Sequence, residues 1–102
     1  DACVPMDEAL VLAAIDVSGR GQCHYEVDVP FEFIGTFETS LAKEFWIAFA
    51  STAGLTLHIY ELQGQNSHHI IEASFKAVAR ALRIAVAQDA RILGVPSTKG
   101  AL

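Results

Sequence analysis

The sequence predicts an α+β fold with elements in the order β-β-α-β-α. Three observations predict it. Two segments carry a helical apolar period, three carry strand patterning, and the 102 residues are enough for one domain but too few for two. Helices that share one face of a sheet are the α+β solution to burying both kinds of apolar surface.

The segment from Glu8 to Val17 is apolar and β-branched at its end, and reads as a buried strand or a short helix. Ser18-Gly19-Arg20-Gly21 reads as a turn. His24 to Val29 then alternates as a strand does, which favours a strand for the first segment too, paired with it as a hairpin. Pro30 ends that pairing. Thr39 is placed to cap a helix running to about Thr52, with Leu41, Phe45, Ala48 and Phe49 as its buried stripe. Gly54 stops this helix. Leu55 to Leu62 is the third strand. Leu55, Leu57, Ile59 and Glu61 point one way, and Thr56, His58, Tyr60 and Leu62 the other. Gly64 and Asn66 turn the chain into a long helix from about Ser67 to Gln88. The sheet face opposite the helices is left open, which in so short a chain asks for a partner.

Composition narrows the function classes. Apolar residues make up 52% of the chain, which fits a globular core and argues against disorder. No apolar run approaches the roughly 18 residues of a membrane span, and no basic-then-apolar signal opens the chain. The first residue is Asp1 rather than Met, so the chain reads as a fragment or a processed product. Seven basic residues against twelve acidic ones give a net charge of -5, a poor footprint for nucleic acid. A local basic cluster still suffices for a small anion. Cys3 and Cys23 have no metal spacing and read as free thiols of a reducing cytoplasm rather than as a disulfide.

The stretch Gln65-Asn-Ser-His-His-Ile-Ile-Glu72 carries the chemistry. With Ser67 as N-cap, His68 and His69 fall in the first helical turn. His68 and Glu72, four apart, share one face. His69 is rotated from His68 by about 100°. One helix start thus offers His68 and Glu72 to one metal ion and His69 to a second. The positive end of the helix dipole disfavours imidazolium and keeps the rings neutral, as ligation requires. Imidazole with carboxylate suits Mn, Fe, Co or Zn better than Mg or Ca. The plain alternative is that helix-start histidines are polar surface residues, and spacing alone leaves both readings open. His58 reads as a core histidine and His24 as exposed. Glu44, at the edge of the first helix's stripe, is a surface carboxylate beside Lys43 or a ligand reaching from another helix.

The stretches PMDEAL, DVSGR, GLTLHI, NSHHIIEASFKAVARALR and VPSTKGAL together resemble the imidazoleglycerol-phosphate dehydratases of histidine biosynthesis, in that family's order and spacing, from Pro5 to Leu102. Members look like a duplication of two β-β-β-α-β-α-type units, each with its own HHxxE motif, and the match is to the second. The chain is then a half-domain: a small mixed sheet with helices on one face, a type of unit also found in a ribosomal protein. It is one piece of the duplicated enzyme or one chain of a split one. The resemblance implies a Mn2+-dependent dehydratase that converts imidazole-glycerol phosphate to imidazole acetol phosphate. A metal on the substrate's ring nitrogen would acidify the neighbouring carbon–hydrogen bond.

The same resemblance implies roles. His68, His69 and Glu72 are metal ligands, with Glu72 and His68 also catalytic. Glu44 stands where many members have a metal-binding histidine. Arg20, Lys76, Ser97 and Lys99 hold the substrate phosphate, since cations around a dianion form strong charge-assisted bonds. Asp7 and Glu8 match the family's DE and serve as structural hydrogen-bonders or site rim. Gly21 stands where a proline usually follows SGR, and Gln65 replaces a common Glu. The family forms a many-subunit shell with sites between subunits, so the expected partners are a small phosphorylated substrate and either further copies or the N-terminal half. Two further readings compete: a self-assembling metal-binding half-domain without turnover, and, against the charge, an RNA-binding unit.

Overall fold

The structure, a computed structural model, describes residues 1–87. A hairpin opens the chain, with β1 (Ala2–Met6) antiparallel to β2 (Ala9–Asp16). β3 (Gln22–Glu26) follows, then a short hairpin of β4 (Phe33–Ile34) and β5 (Phe37–Glu38) turned by Gly35 at φ 60°. Next come α1 (Ser40–Ala53), β6 (Thr56–Gln63) and α2 (Ser67–Ala85).

The main sheet has the order β1-β2-β6-β3. β6 is antiparallel to β2 and parallel to β3. The expected hairpin between the first two predicted strands is therefore wrong. The apolar segment pairs with the unpredicted β1 on one side and with β6 on the other. β1 escaped notice because Cys-Val-Pro-Met lacks strand alternation, and Pro5 is tolerated on an edge. β3 lies parallel to β6 because a whole helical crossover separates them in sequence.

Both helices cover one face. The sheet contributes Val4, Val11, Ala13, Leu57 and Ile59 to the core, and Leu55 joins them from just before β6. α2 adds Ala73, Ala77, Val78 and Ala81, small residues that bring the helix close to β1 and β2. From α1 come Trp46 and Ala50, with Ala42 also buried. This overturns most of the predicted stripe: Leu41 is 47% and Phe45 50% exposed, and Ala48 is exposed, while Phe49 alone of the four packs, half-buried, against the core. The two stripes are neighbours on the helix, and the large indole of Trp46 wins the core. Phe45 and Phe75 (ring centroids 5.7 Å apart) instead form an outward aromatic patch across the helix layer.

The helix ends follow local rules with one substitution. Thr39 takes the N-cap position of α1, but its hydroxyl donates to the carbonyls of Phe31 and Glu32 instead of capping. Gly54 ends α1 at φ 69°, its N–H donating to the Ala50 carbonyl. The N-cap of α2 is Asn66, not Ser67: Asn66 Oδ1 accepts from the His69 N–H at 3.1 Å. Ser67 is buried, and its Oγ accepts the Phe31 N–H. α2 ends at Ala85, before the predicted Gln88, which lies outside the described residues.

The sheet face away from the helices is solvent-facing, as expected. His58 belongs to it and is not a core residue. It stands opposite His24 in register, with the rings stacked at 4.4 Å, and Tyr60 continues the stack. Cys3 and Cys23 are free thiols on strands separated by β2 and β6. That gap is roughly 14 Å at the usual strand spacing, too wide for a disulfide. Among the described residues no helix is long and apolar enough to cross a membrane.

Candidate metal centre at the start of α2

The site is built where the β1–β2 turn meets the start of α2. Asp7 and Glu8 form that turn, with Asp7 at φ 50°, a left-handed conformation that Asp tolerates better than most residues. Because β2 runs antiparallel to β6 with Leu10 opposite Gln63, the turn lies against the loop that leaves β6. Glu8 uses both carboxylate oxygens there. Oε2 accepts the backbone N–H groups of Gln65 (2.8 Å) and Asn66 (2.9 Å), and Oε1 meets His69 Nδ1 at 2.6 Å. These bonds, first from Asn66, then Gln65, then His69, hold the Glu8 carboxyl down at about 2.

His69 responds in the opposite sense. The Glu8 hydrogen bond, with the charges of Glu8, Asp7 and Glu72 behind it, raises its pKa above the ordinary imidazole value. The shift thus runs opposite to the one expected from the helix dipole alone. A dipole end carries about half a charge, and full carboxylates at contact distance outweigh it. Asp7 Oδ2 lies 3.5 Å from Nε2, the ring's other nitrogen.

His68 points elsewhere. Its ring stands 6.3 Å from that of His69 at 85°, so the two diverge, as adjacent helical residues must. His68 is exposed between two grooves. One, of about 510 Å³, is lined by Phe31, Phe33, Ile34 and Gln65 to His68. The other, of about 280 Å³, is lined by Ile34, Phe37, His68, Ile71 and Glu72. The sequence reading missed this apolar wall. Its signal was the aromatic run Phe31-Glu-Phe-Ile-Gly-Thr-Phe37, which has no period of its own.

The donors fit a divalent transition metal. Imidazole nitrogens and carboxylates are present, and one ring is already held through its second nitrogen, as metal-bound histidines usually are. Among the described residues, however, no three such side chains converge into a ligand set. Glu44 is exposed on α1, and among the described residues no hydrogen bond or ion pair joins it to His68, His69 or Glu72. The proposed anion-binding groups do not gather around α2's start either. Arg20 sits at the far end of the sheet: its carbonyl accepts from Thr56 Oγ1, and its guanidinium Nη1 donates to the Ser18 carbonyl. β6 separates the two places by roughly 23 Å at the usual strand rise. Lys76 is exposed on α2, in line with His69 and about 10 Å further along the helix. Ser97 and Lys99 lie outside the described residues. Gly21 has a structural reason: a Cβ there would stand 2.5 Å from Ser51 Cα.

Fold and site together define an α+β unit that presents diverging imidazoles and a carboxylate where a helix starts. The chain belongs to the imidazoleglycerol-phosphate dehydratase family, whose model matches residues 1–82. It is 52% identical over 101 residues to the imidazoleglycerol-phosphate dehydratase of Desulforamulus reducens, covering 99% of this chain and 52% of that protein. To that of Frankia casuarinae it is 54% identical, covering 100% of this chain and 52% of that protein. A crystal structure of the Staphylococcus aureus enzyme superposes with a TM-score of 0.84 at 44% identity, over 85% of this chain and 51% of that one. The Pyrococcus furiosus enzyme, crystallised in complex with (S)-C348, gives 0.87 at 42% identity, over 99% of this chain and 55% of that one. The chain thus spans about half the length of the relatives it matches.

Proposed function

We propose that the chain is the second half of an imidazoleglycerol-phosphate dehydratase, a Mn2+-dependent hydro-lyase of histidine biosynthesis. The observation that supports this most is the pair of diverging histidines, His68 and His69, with Glu72 one turn on, in a chain that aligns end to end with half of such enzymes. His68 and Glu72 face one ion and His69 a second. Bound manganese would supply Lewis acidity at the ring nitrogen, easing loss of the ring's N–H proton and so departure of the hydroxyl from the carbon attached to the ring. The chain's own residues bind and orient. The wall of Ile34, Phe37 and Ile71 takes a flat heteroaromatic ring and keeps water from it. Glu72 stands beside that ring to take the proton of the second side-chain carbon. That electron pair forms the double bond as the hydroxyl on the ring-bearing carbon departs, and the proton leaves with it as water. The enol left behind becomes the ketone.

Arg20, Lys76, Ser97 and Lys99 hold the phosphate in this reading. Because Arg20 lies at the other end of the sheet, it serves a site built around a different unit. Glu44 likewise ligates only in an assembly. Active sites then form between copies, or with an N-terminal half, in the cytoplasm.

A second reading is an assembling metal-binding half-domain without turnover. The open ligand set supports it, since one unit alone gathers no three donors among the described residues. Elemental analysis of the purified chain, light scattering on the same sample and an assay with imidazole-glycerol phosphate separate the two. Manganese in an oligomer with turnover supports the enzyme. Metal without turnover, even after adding an N-terminal half from a relative, supports the second reading. A metal-free monomer that stays inactive with that half overturns the first.

A further inference from the structure

We infer that Glu8 is the positioning residue for His69, holding the neutral ring as its Nδ1–H tautomer so that Nε2 is the atom left to ligate. The inference deepens the metal-centre reading and rests on it for its purpose, though not for its test.

Geometry decides the tautomer. A neutral imidazole has one N–H and one bare nitrogen. Glu8 Oε1 lies 2.6 Å from Nδ1, and Asp7 Oδ2 lies 3.5 Å from Nε2. An Nε2–H ring would press its bare Nδ1 lone pair against a carboxylate oxygen at 2.6 Å. An Nδ1–H ring turns that contact into a short charge-assisted hydrogen bond. The bare Nε2 then faces Asp7 at a distance too long for a hydrogen bond, and two electron-rich atoms that close call for a cation between or beside them.

The carboxylate is fixed as firmly as the ring. Its other oxygen is held by the Gln65 and Asn66 N–H groups at the entry to α2. Its own backbone sits in the tight turn between β1 and β2. Asn66, held by Glu8, in turn caps the His69 N–H. Glu8 thus holds both the ring and the backbone that carries it, from 61 residues away in sequence. A metal-bound histidine aligned by a carboxylate loses about 10- to 100-fold in metal affinity when that carboxylate is removed.

The test is the tautomer of His69, read from its ring 15N shifts in the full chain at a pH above its titration. Glu8→Gln and Asn66→Ala are compared with the unmodified chain. The Gln side chain keeps the size but cannot accept from two backbone N–H groups and the ring together. We expect Nδ1–H in the unmodified chain and in Asn66→Ala, where only the cap is lost, and a shift toward Nε2–H in Glu8→Gln. Mn2+ titration of the same samples should show a 10- to 100-fold loss for Glu8→Gln alone. An Nε2–H ring in the unmodified chain, or a tautomer that ignores Glu8→Gln, overturns the inference. If the tautomer follows Glu8 but no sample binds Mn2+, the positioning role stands and the metal-centre reading fails.

Discussion

The two ends of the sheet differ in what they finish. At the end where β1 turns into β2, Glu8, Asn66 and His69 saturate one another with short hydrogen bonds, and a helix begins in their midst. At the other end, Ser18, Arg20 and Thr56 form a looser cluster at 3.0–3.4 Å, with the guanidinium donating to the Ser18 carbonyl. The first end holds an imidazole and a carboxylate in fixed positions. The second presents a cation that no carboxylate among the described residues meets. In the reading proposed above, one unit would carry parts of two sites rather than the whole of one, as a protein that works between units does.

The most drastic way to break this contrast is complementation. His68→Ala removes the ligand end and Arg20→Ala the cationic end. Each alone should abolish turnover in any active assembly. Mixed, the two variants should regain part of it, because intact ends from different chains can meet. A mixture as dead as its components would place both residues in one site and end the comparison.

Packing separates the ends next. Ile70 is fully buried directly behind His69. Ile70→Ala should cost about 2–5 kcal/mol in urea unfolding and loosen the α2 end first. Gly21→Ala attacks the other end. Its Cβ would meet Ser51 Cα at 2.5 Å and Ala50 O at 2.9 Å, backbone atoms that cannot swing aside. A loss of about 1–3 kcal/mol is expected, with the tautomer of His69 unchanged. Asn66→Ala should cost about 1 kcal/mol and fray the first turn of α2, seen as lost helical ellipticity.

The smallest effect sharpens the comparison through pH. Glu8, lowered from 4.5 to about 2, contributes stability that is present above pH 4.5 and lost as pH falls toward 2. His69, raised above 6.5, contributes stability that is present below pH 6.5 and lost as pH rises through its folded pKa. The metal-free pair is therefore strongest between about pH 4.5 and 6.5. Glu8→Gln should flatten the pH dependence of thermal unfolding across both limbs. Metal uptake should improve above that window, where the ring gives up its proton.

Much of the molecule was legible in the chain. The α+β class, both helices, Gly54 as a stop, the third strand's two faces and the HHxxE donors at a helix start all follow from local periodicity and end signals. The family was legible too, because its motifs keep their order. What periodicity could not supply is non-local. It gave no partner for the apolar strand, since pairing preferences are spread over both neighbours and β1 has little pattern of its own. It offered two adjacent stripes on α1 and could not weigh Leu41 and Phe45 against Trp46. It capped α2 with Ser67, when a loop residue, Phe31, had already claimed that hydroxyl.

The sequence by itself, then, determined both helices, three of the six strands and which side chains carry donor atoms, because backbone preference and side-chain chemistry are properties of neighbouring residues. Only the tertiary structure decided where those atoms point and which way their proton affinities move. It set a carboxylate from the first turn against a ring on the last helix, reversing the shift expected from the helix dipole, and it put Arg20 a strand's length away from the histidines. Both outcomes depend on which strands pair and in what register, and that is settled by long-range packing rather than by any stretch read alone.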